Sequence, residues 1–227
     1  MQNQSLNNRL RACALMVRKG ARVVDIGTDH AYLPIWLVRN NIVKSAIAAD
    51  INEGPLNIAR QNIAKYSLSD KIETRLSNGL EKINKDEVDD IVIAGMGGEL
   101  ISGILSKAPW IKDDSKNLIL QPMTTSKELR IFLKNENYKI YKEETVTSEK
   151  RVYTIINARY TKEQIIVNKL YPYIGKLDVP LSMESKEYIK REINNIKNQV
   201  KGLKCQSRIQ DACELESICI ELQELIK

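Results

Sequence analysis

Three carboxylates gathered around one glycine turn carry the first chemical signal in this 227-residue chain. Residues 23–50 read VVDIGTDHAYLPIWLVRNNIVKSAIAAD. Asp25 ends an apolar run, Gly27 supplies the turn, Asp29 and His30 lead into a helical stretch, and Asp50 ends a second apolar run. Parallel strands joined by a helix place a ligand against the helix N-terminus at the carboxyl edge of the sheet. An acid about 20 residues past the turn can hold both hydroxyls of a ribose. Asp50 lies near that distance, and Ile51 behind it offers an apolar surface to an adenine. The unit is expected to bind an adenosine-containing cofactor.

The turn itself selects among such cofactors. In a dinucleotide site the later glycines of G-x-G-x-x-G let the backbone approach a pyrophosphate, but those two positions are Asp29 and Tyr32 here. A carboxylate facing a diphosphate repels it. S-adenosylmethionine carries no phosphate and has a cationic sulfonium and an ammonium, so Asp25 and Asp29 become attractive partners. The turn therefore reads as a methyl-donor site with Asp25, Gly27, His30, Asp50 and Ile51 as cofactor contacts. A nicotinamide-dependent oxidoreductase is disfavoured by Asp29. A catalytically silent RNA-binding module would not need Asp25, Gly27 and Asp50 together, and cofactor binding separates it from an enzyme.

The elements that must position these groups continue the alternation of strand and helix. The pattern predicts a helix at 54–65, a strand at 72–76, a polar turn SNGL at 77–80, a strand at 89–94, a helix at 98–106, a strand at 117–121, a helix at 126–135, and a strand pair at 138–147 and 151–160 around the turn TSEKR. This is an α/β, Rossmann-like arrangement with a seven-stranded, mostly parallel sheet, the count expected of a class I methyltransferase; its final hairpin supplies an antiparallel edge. Three strand ends converge on one rim. Asn78 and Gly79 follow the third strand, on the side of the cofactor's adenine amine. Ala94 and Gly95 end the fourth on the cofactor side, and Met96 and Gly97 let a planar base approach the backbone closely. Gln121, Pro122 and Met123 end the fifth, and Tyr32 could stack on a base from the first turn.

At 227 residues with 43% apolar content the chain has ample core for one domain of ordinary size and a smaller appendage. No apolar run approaches the ~18 residues of a membrane helix, and MQNQSLNNRL lacks a signal-peptide stretch, so a cytoplasmic protein without a membrane partner is expected. Cys13, Cys205, Cys213 and Cys219 form no C-x-x-C pair, and three of them are expected in a buried helical seam. His30 is the only histidine, which argues against a catalytic metal. The net charge of +6 is uneven, with eleven basic against six acidic residues over 1–80. Residues 5–19 pattern as an amphipathic helix burying Leu6, Leu10, Cys13, Ala14 and Val17. Its Arg9, Arg11, Arg18 and Lys19 are left for solvent or phosphate. From an N-cap at Ser182, apolar residues recur at Ile189, Ile193, Ile196, Val200 and Leu203. After residues 202–207 a second series runs through Ala212, Leu215, Cys219, Leu222 and Ile226, giving a two-helix coiled-coil hairpin. Residues 1–160 thus form the catalytic domain and 161–227 a linker and arm, whose seam can close within one chain or between two, a monomer being slightly favoured.

The chain resembles the bacterial tRNA (adenine-22-N1)-methyltransferases in DIGTDHAYLP at 25–34, DINEGP at 50–55, SNGL at 77–80, IVIAGMGGELI at 91–101 and LILQP at 118–122. The resemblance implies S-adenosylmethionine as cofactor, tRNA as partner, and methylation of N1 of an adenine in the D arm. It maps the family's substrate-facing acid onto Asp29, the catalytic candidate. Arg9, Arg11, Tyr32, Met96, Gly97, Gln121 and Pro122 are then candidates for binding the RNA. Two positions depart from the family's pattern: Asn78 stands where Asp is usual, and Met123 where a strand-five Q-P-N motif has Asn.

Overall fold

The computed structural model describes residues 6–227. Its seven strands form one sheet in the order β3-β2-β1-β4-β5-β7-β6. The central strand β1 (Arg22–Ile26) pairs in parallel with β2 (Ser45–Asp50) and β4 (Asp90–Gly97). Further out, β3 (Ile72–Leu76) and β5 (Asn117–Thr124) continue the parallel ladder. Only β7 (Arg151–Tyr160) is reversed, pairing antiparallel with both β5 and β6 (Tyr138–Ser148). The hairpin turn consists of Glu149 and Lys150, both left-handed at φ 50° and 63°, the twist a two-residue connection requires.

Both sheet faces are covered, which is why β1, β4 and β5 read as nearly continuous apolar runs. On one face α1 (Asn8–Met16), α2 (Tyr32–Arg39) and α3 (Glu53–Lys65) bury Cys13, Leu33, Leu37 and Ile63 against Val23, Val92 and Ile119. On the other, α4 (Gly98–Ser106) and α5 (Ser126–Asn135) bury Ile101, Leu105, Leu129 and Leu133 against Val24, Ile91 and Leu118.

A short helix α6 (Tyr171–Ile174) leads to the arm, α7 (Met183–Cys205) and α8 (Ile209–Leu225). Ser182 caps α7 by accepting the Ser185 N–H at 3.1 Å. Ile189, Ile193, Ile196 and Val200 close against Ala212, Cys219 and Leu222 within the one chain. Lys204 and Glu216, 2.6 Å apart, join the basic helix to the acidic one.

The arm is tied to the sheet by a buried charged hub. Arg130 of α5 donates to Glu143 of β6 from Nε at 3.0 Å and Nη2 at 2.6 Å, and to Tyr188 of α7 at 2.9 Å. Its Nη1 donates to the carbonyls of Pro172 and Tyr173, each at 3.0 Å, and neither charged side chain is exposed. Glu143 also accepts from Thr154 at 2.5 Å and from the Lys176 N–H at 3.0 Å.

Several expectations need correction. The N-terminal helix stops at Met16 instead of 19, because the Arg18 N–H and Nε both donate to buried Asp90 at 2.7 Å. Arg18 is thus an anchor, not a free basic side chain; the expected start at position 5 lies outside the described residues. Cys205 and Cys213 are exposed, and only Cys13 and Cys219 are buried. Strands β4 and β5 each run three residues beyond their expected ends, with irregular pairing between Ala94, Met96 and Gly97.

Candidate active site

The carboxyl ends of β1 and β4 open into a cleft of about 470 Å³, within the range of small-molecule sites. Asp25, Gly27, Asp29 and Tyr32 line it from β1 and the start of α2, and Ala94 and Gly95 from β4. Arg9 and Leu10 of α1, with Leu6 and Asn7 before it and Leu33 of α2, form the remaining wall. Gly27 turns the chain at φ 73°, and the Met96 methyl lies where a Cβ would stand, so no side chain fits there without displacement.

Asp25 is buried and accepts a 2.7 Å hydrogen bond from Thr28. Burial pushes its carboxyl up to about 6; Thr28 opposes that, Asp29 and Asp50 add to it, and Arg9 pulls it back. Asp25 therefore feels two neighbouring acids and a single cation, Arg9. Such a site favours a positively charged ligand.

Asp29 stands open at the rim, its side chain 74% exposed, with Oδ1 3.0 Å from His30 Nε2. His30 and Ala31 are consecutively left-handed at φ 56° and 58°. Non-glycine residues pay for that conformation, and such strain concentrates where a site needs it. Here it turns the chain sharply into α2 and leaves Asp29 outward. The His30 carbonyl is held by Asn62 at 3.0 Å, its Nδ1 is buried without a partner, and its ring lies 5.2 Å from that of Tyr32.

The remaining candidates are not among the residues lining this cleft. Asp50 accepts the Asn52 N–H at 2.7 Å, and Ile51 is exposed beside it. The Ser77 N–H donates to the Asp50 carbonyl at 2.8 Å, holding Asn78 and Gly79 next to β2. Asn78 donates to Glu81 at 2.7 Å. Gln121 is wholly buried and its amide is engaged: Oε1 accepts from Arg9 at 2.6 Å and from the Gly95 N–H at 3.0 Å, while Nε2 donates to the Pro122 carbonyl at 2.9 Å. Its place is to hold Arg9 and Gly95. Met96 and Gly97 are half-buried at the end of β4, Pro122 is buried, and Met123 is exposed beyond it. Arg11 is exposed and does not line the cleft. Two contributors escaped sequence reasoning, Thr28 and the Arg9–Gln121 contact. Thr28, three residues after Asp25 in DIGT, carried a visible signal; the other pair is 112 positions apart.

Among the described residues no cluster of His, Cys, Asp and Glu could hold a metal ion, and no helix is long and apolar enough to cross a membrane. A seven-stranded sheet with one reversed strand and an acid-lined, glycine-turned cleft at its carboxyl edge define a class I, Rossmann-like methyltransferase domain. Residues 6–156 match the family model described as a methyltransferase domain. The chain is 37% identical over 158 residues to the tRNA (adenine(22)-N(1))-methyltransferase of Bacillus subtilis, a match spanning 70% of this chain and 66% of that relative. Among solved structures, M. capricolum TrmK in complex with S-adenosyl-homocysteine superposes with a TM-score of 0.83 at 30% identity, covering 98% of this chain and 99% of that one. A Streptococcus pneumoniae protein in complex with S-adenosyl-L-methionine gives 0.78 at 32% identity, covering 96% and 98%. The chain belongs to the methyltransferase-domain family and, within it, to the tRNA (adenine(22)-N1)-methyltransferases.

Proposed function

We propose that this chain transfers a methyl group from S-adenosylmethionine to N1 of adenine 22 in the D arm of tRNA, giving 1-methyladenosine. The observation that carries this reading is the cleft, where Asp25 and Asp29 flank a glycine turn, with Asp50 near enough to act on Asp25, an arrangement that would repel a pyrophosphate and attract a cation. The relatives' names supply the substrate and the position. S-adenosylmethionine, when bound, supplies an electrophilic methyl group.

Asp25 and Gly27 would hold the cofactor's charged tail, Asp50 its ribose, and Ile51, Asn78 and Gly79 its adenine. Ala94 and Gly95 would close the cofactor side. N1 of adenine carries an in-plane lone pair that is already nucleophilic, so no strong base is needed and positioning supplies most of the rate. The adenine becomes cationic as it gains the methyl, and the exposed Asp29 carboxylate at the rim would stabilise that charge and accept from the base's amine. Tyr32 would stack on the base, with Met96 and Gly97 beneath it. N1 lies on the Watson–Crick edge, so the base must leave its stack, at a cost of a few kcal/mol. Arg9 and Arg11 stand on the helix that borders the cleft, on the side from which RNA would enter. The α7–α8 seam closes within one chain, which supports a monomer as the working unit, and a tRNA substrate would be in keeping with a cytoplasmic protein.

The test is labelled-methyl transfer from S-adenosylmethionine to unmodified tRNA transcripts, beside a transcript whose D-arm adenine 22 is replaced by guanine. Incorporation that yields 1-methyladenosine and is lost on replacement is the expected result. Incorporation indifferent to the replacement would move the target elsewhere.

A further inference from the structure

A second concavity, of about 450 Å³, lies between α5 and α7. It begins at Met123, where β5 ends at the substrate rim, and runs over residues 124–126 to the outward side of α7. There three exposed amides, Asn195, Asn198 and Gln199, face the hydroxyls of the loop. The loop also touches the rim of β4. Thr125, left-handed at φ 52°, accepts the Glu99 N–H on Oγ1 at 3.3 Å, and Thr124 Oγ1 stands against Gly97. One wall of the groove is therefore continuous with the place proposed for the target base.

The charges in this groove balance. Lys127 and Arg191 are accompanied by Glu128 and Glu192. Both cations are already engaged, Lys127 with the Tyr173 hydroxyl at 3.1 Å and Arg191 with the Val152 carbonyl at 2.7 Å. A phosphate track would not carry two carboxylates and spend its cations on the protein. The lysines of α7 instead share a different face: Lys186, Lys190, Lys197, Lys201 and Lys204 recur at steps of four, seven, four and three, a single helical stripe turned away from Asn195 and Gln199, with Asn198 between the two faces. What the groove offers is three exposed amides beside the Thr124 and Ser126 hydroxyls, the groups that pair with base edges and ribose hydroxyls. Tyr173, which lines the groove, is held by Arg130 through its carbonyl and by Lys127 through its hydroxyl.

Resting on the methyl-transfer reading above, we propose that this α5–α7 groove is a nucleotide-reading subsite. It takes an unstacked nucleotide neighbouring the target adenine and recognises its base edge and ribose through Asn195, Asn198 and Gln199. Phosphate contacts fall to other surfaces.

The experiment is steady-state methylation of a tRNA transcript by the full chain, comparing wild type, N195A/N198A/Q199A and, as a contrast, K186Q/K190Q/K197Q. All substituted residues of the groove variant are exposed on α7, and cofactor affinity measured in parallel reports on folding. The groove variant is expected to raise KM about tenfold or more with kcat changed less than about twofold, and to leave the salt dependence of KM unaltered. It should also flatten the wild-type preference among transcripts substituted at the nucleotides flanking adenine 22. The lysine variant, if it acts, should weaken all transcripts alike and reduce the salt slope. An unchanged KM and unchanged flanking preference in the groove variant would overturn the proposal, as would a loss accompanied by a reduced salt slope. Failure of the wild-type chain to methylate any tRNA, by contrast, would remove the methyl-transfer reading on which the groove depends.

Discussion

Asp25→Asn should make the protein more stable and less able to hold its cofactor. The Asp25 carboxyl is buried and ionises at about 6 in the folded chain, mainly through desolvation, against 3.8 for the ordinary group. Because the folded state holds the proton more tightly than the unfolded one, ionised Asp25 works against folding. The penalty is absent below the unfolded value, grows as pH rises from about 4 to 6, and is complete above 6. At about 1.4 kcal/mol per pKa unit it is on the order of 3 kcal/mol near pH 7.5 and about 0.5 kcal/mol near pH 4. Asn keeps an acceptor for Thr28 and removes the charge. Thermal unfolding should therefore show the variant about 5–10 °C more stable near neutrality, with the gap closing as the pH is lowered toward 4. Binding runs the other way. A cationic ligand needs the carboxylate, so the wild-type dissociation constant for S-adenosylmethionine should rise about tenfold between pH ~7 and ~5, while the variant binds weakly and without that dependence. A variant no more stable than wild type at neutral pH, or a wild-type affinity flat across that interval, would refute the assignment of Asp25 as a desolvated carboxylate waiting for a cation.

Asp29→Ala should lose about 100-fold or more in turnover while cofactor affinity changes little, because its carboxylate acts on charge that develops on the base; calorimetry beside single-turnover assays checks this, and equal losses in both would remove the role. In Gly27→Ala the new methyl meets Met96 at a left-handed φ, so cofactor binding should fall steeply and the protein lose about 1–3 kcal/mol. Adding Met96→Ala should restore only part of this in urea unfolding, since the backbone strain remains. Arg130→Met leaves Glu143 buried and uncompensated and should cost about 3–5 kcal/mol, whereas Arg130→Met with Glu143→Leu should recover much of it. Denaturation midpoints of the single and double variants measure the difference.

The sheet was legible because its strands are buried on both faces and punctuated by turns, and the first wall of the cleft because Asp25, Gly27 and Asp29 follow one another at the end of a strand. Irregular backbone left less trace. His30 and Ala31 adopt left-handed conformations without a glycine to announce them, and β4 and β5 outrun their apolar stretches because ladder pairing continues through the glycines and Pro122. Long-range polar contacts left none. Arg18 reads as part of a solvated helix face, since hydrophobic periodicity counts a charged residue as exposed whatever stands opposite it, and nothing local marks Arg130. Only the fold brings Asp90 and Glu143 to meet them. Gln121, expected to face substrate, is consumed by Arg9 and Gly95, whose positions no local pattern could couple to it.

The hub of Arg130 and Glu143 also bears on how the chain can be divided. Topology suggests a cut after Tyr160, where β7 ends, yet a fragment ending there would keep both charges and lose the Tyr188 hydroxyl and the carbonyls of Pro172 and Tyr173 that complete them. The arm is therefore not a module that can be gained, shed or exchanged at its linker. A graft from a relative would have to carry α5 and the β6–β7 hairpin with it. Variation in length is cheaper at the far end, beyond Val200, where Lys204 pairs with Glu216 across the two helices. Lengthening or shortening the hairpin at residues 206–208 would change the arm's length without disturbing the cleft.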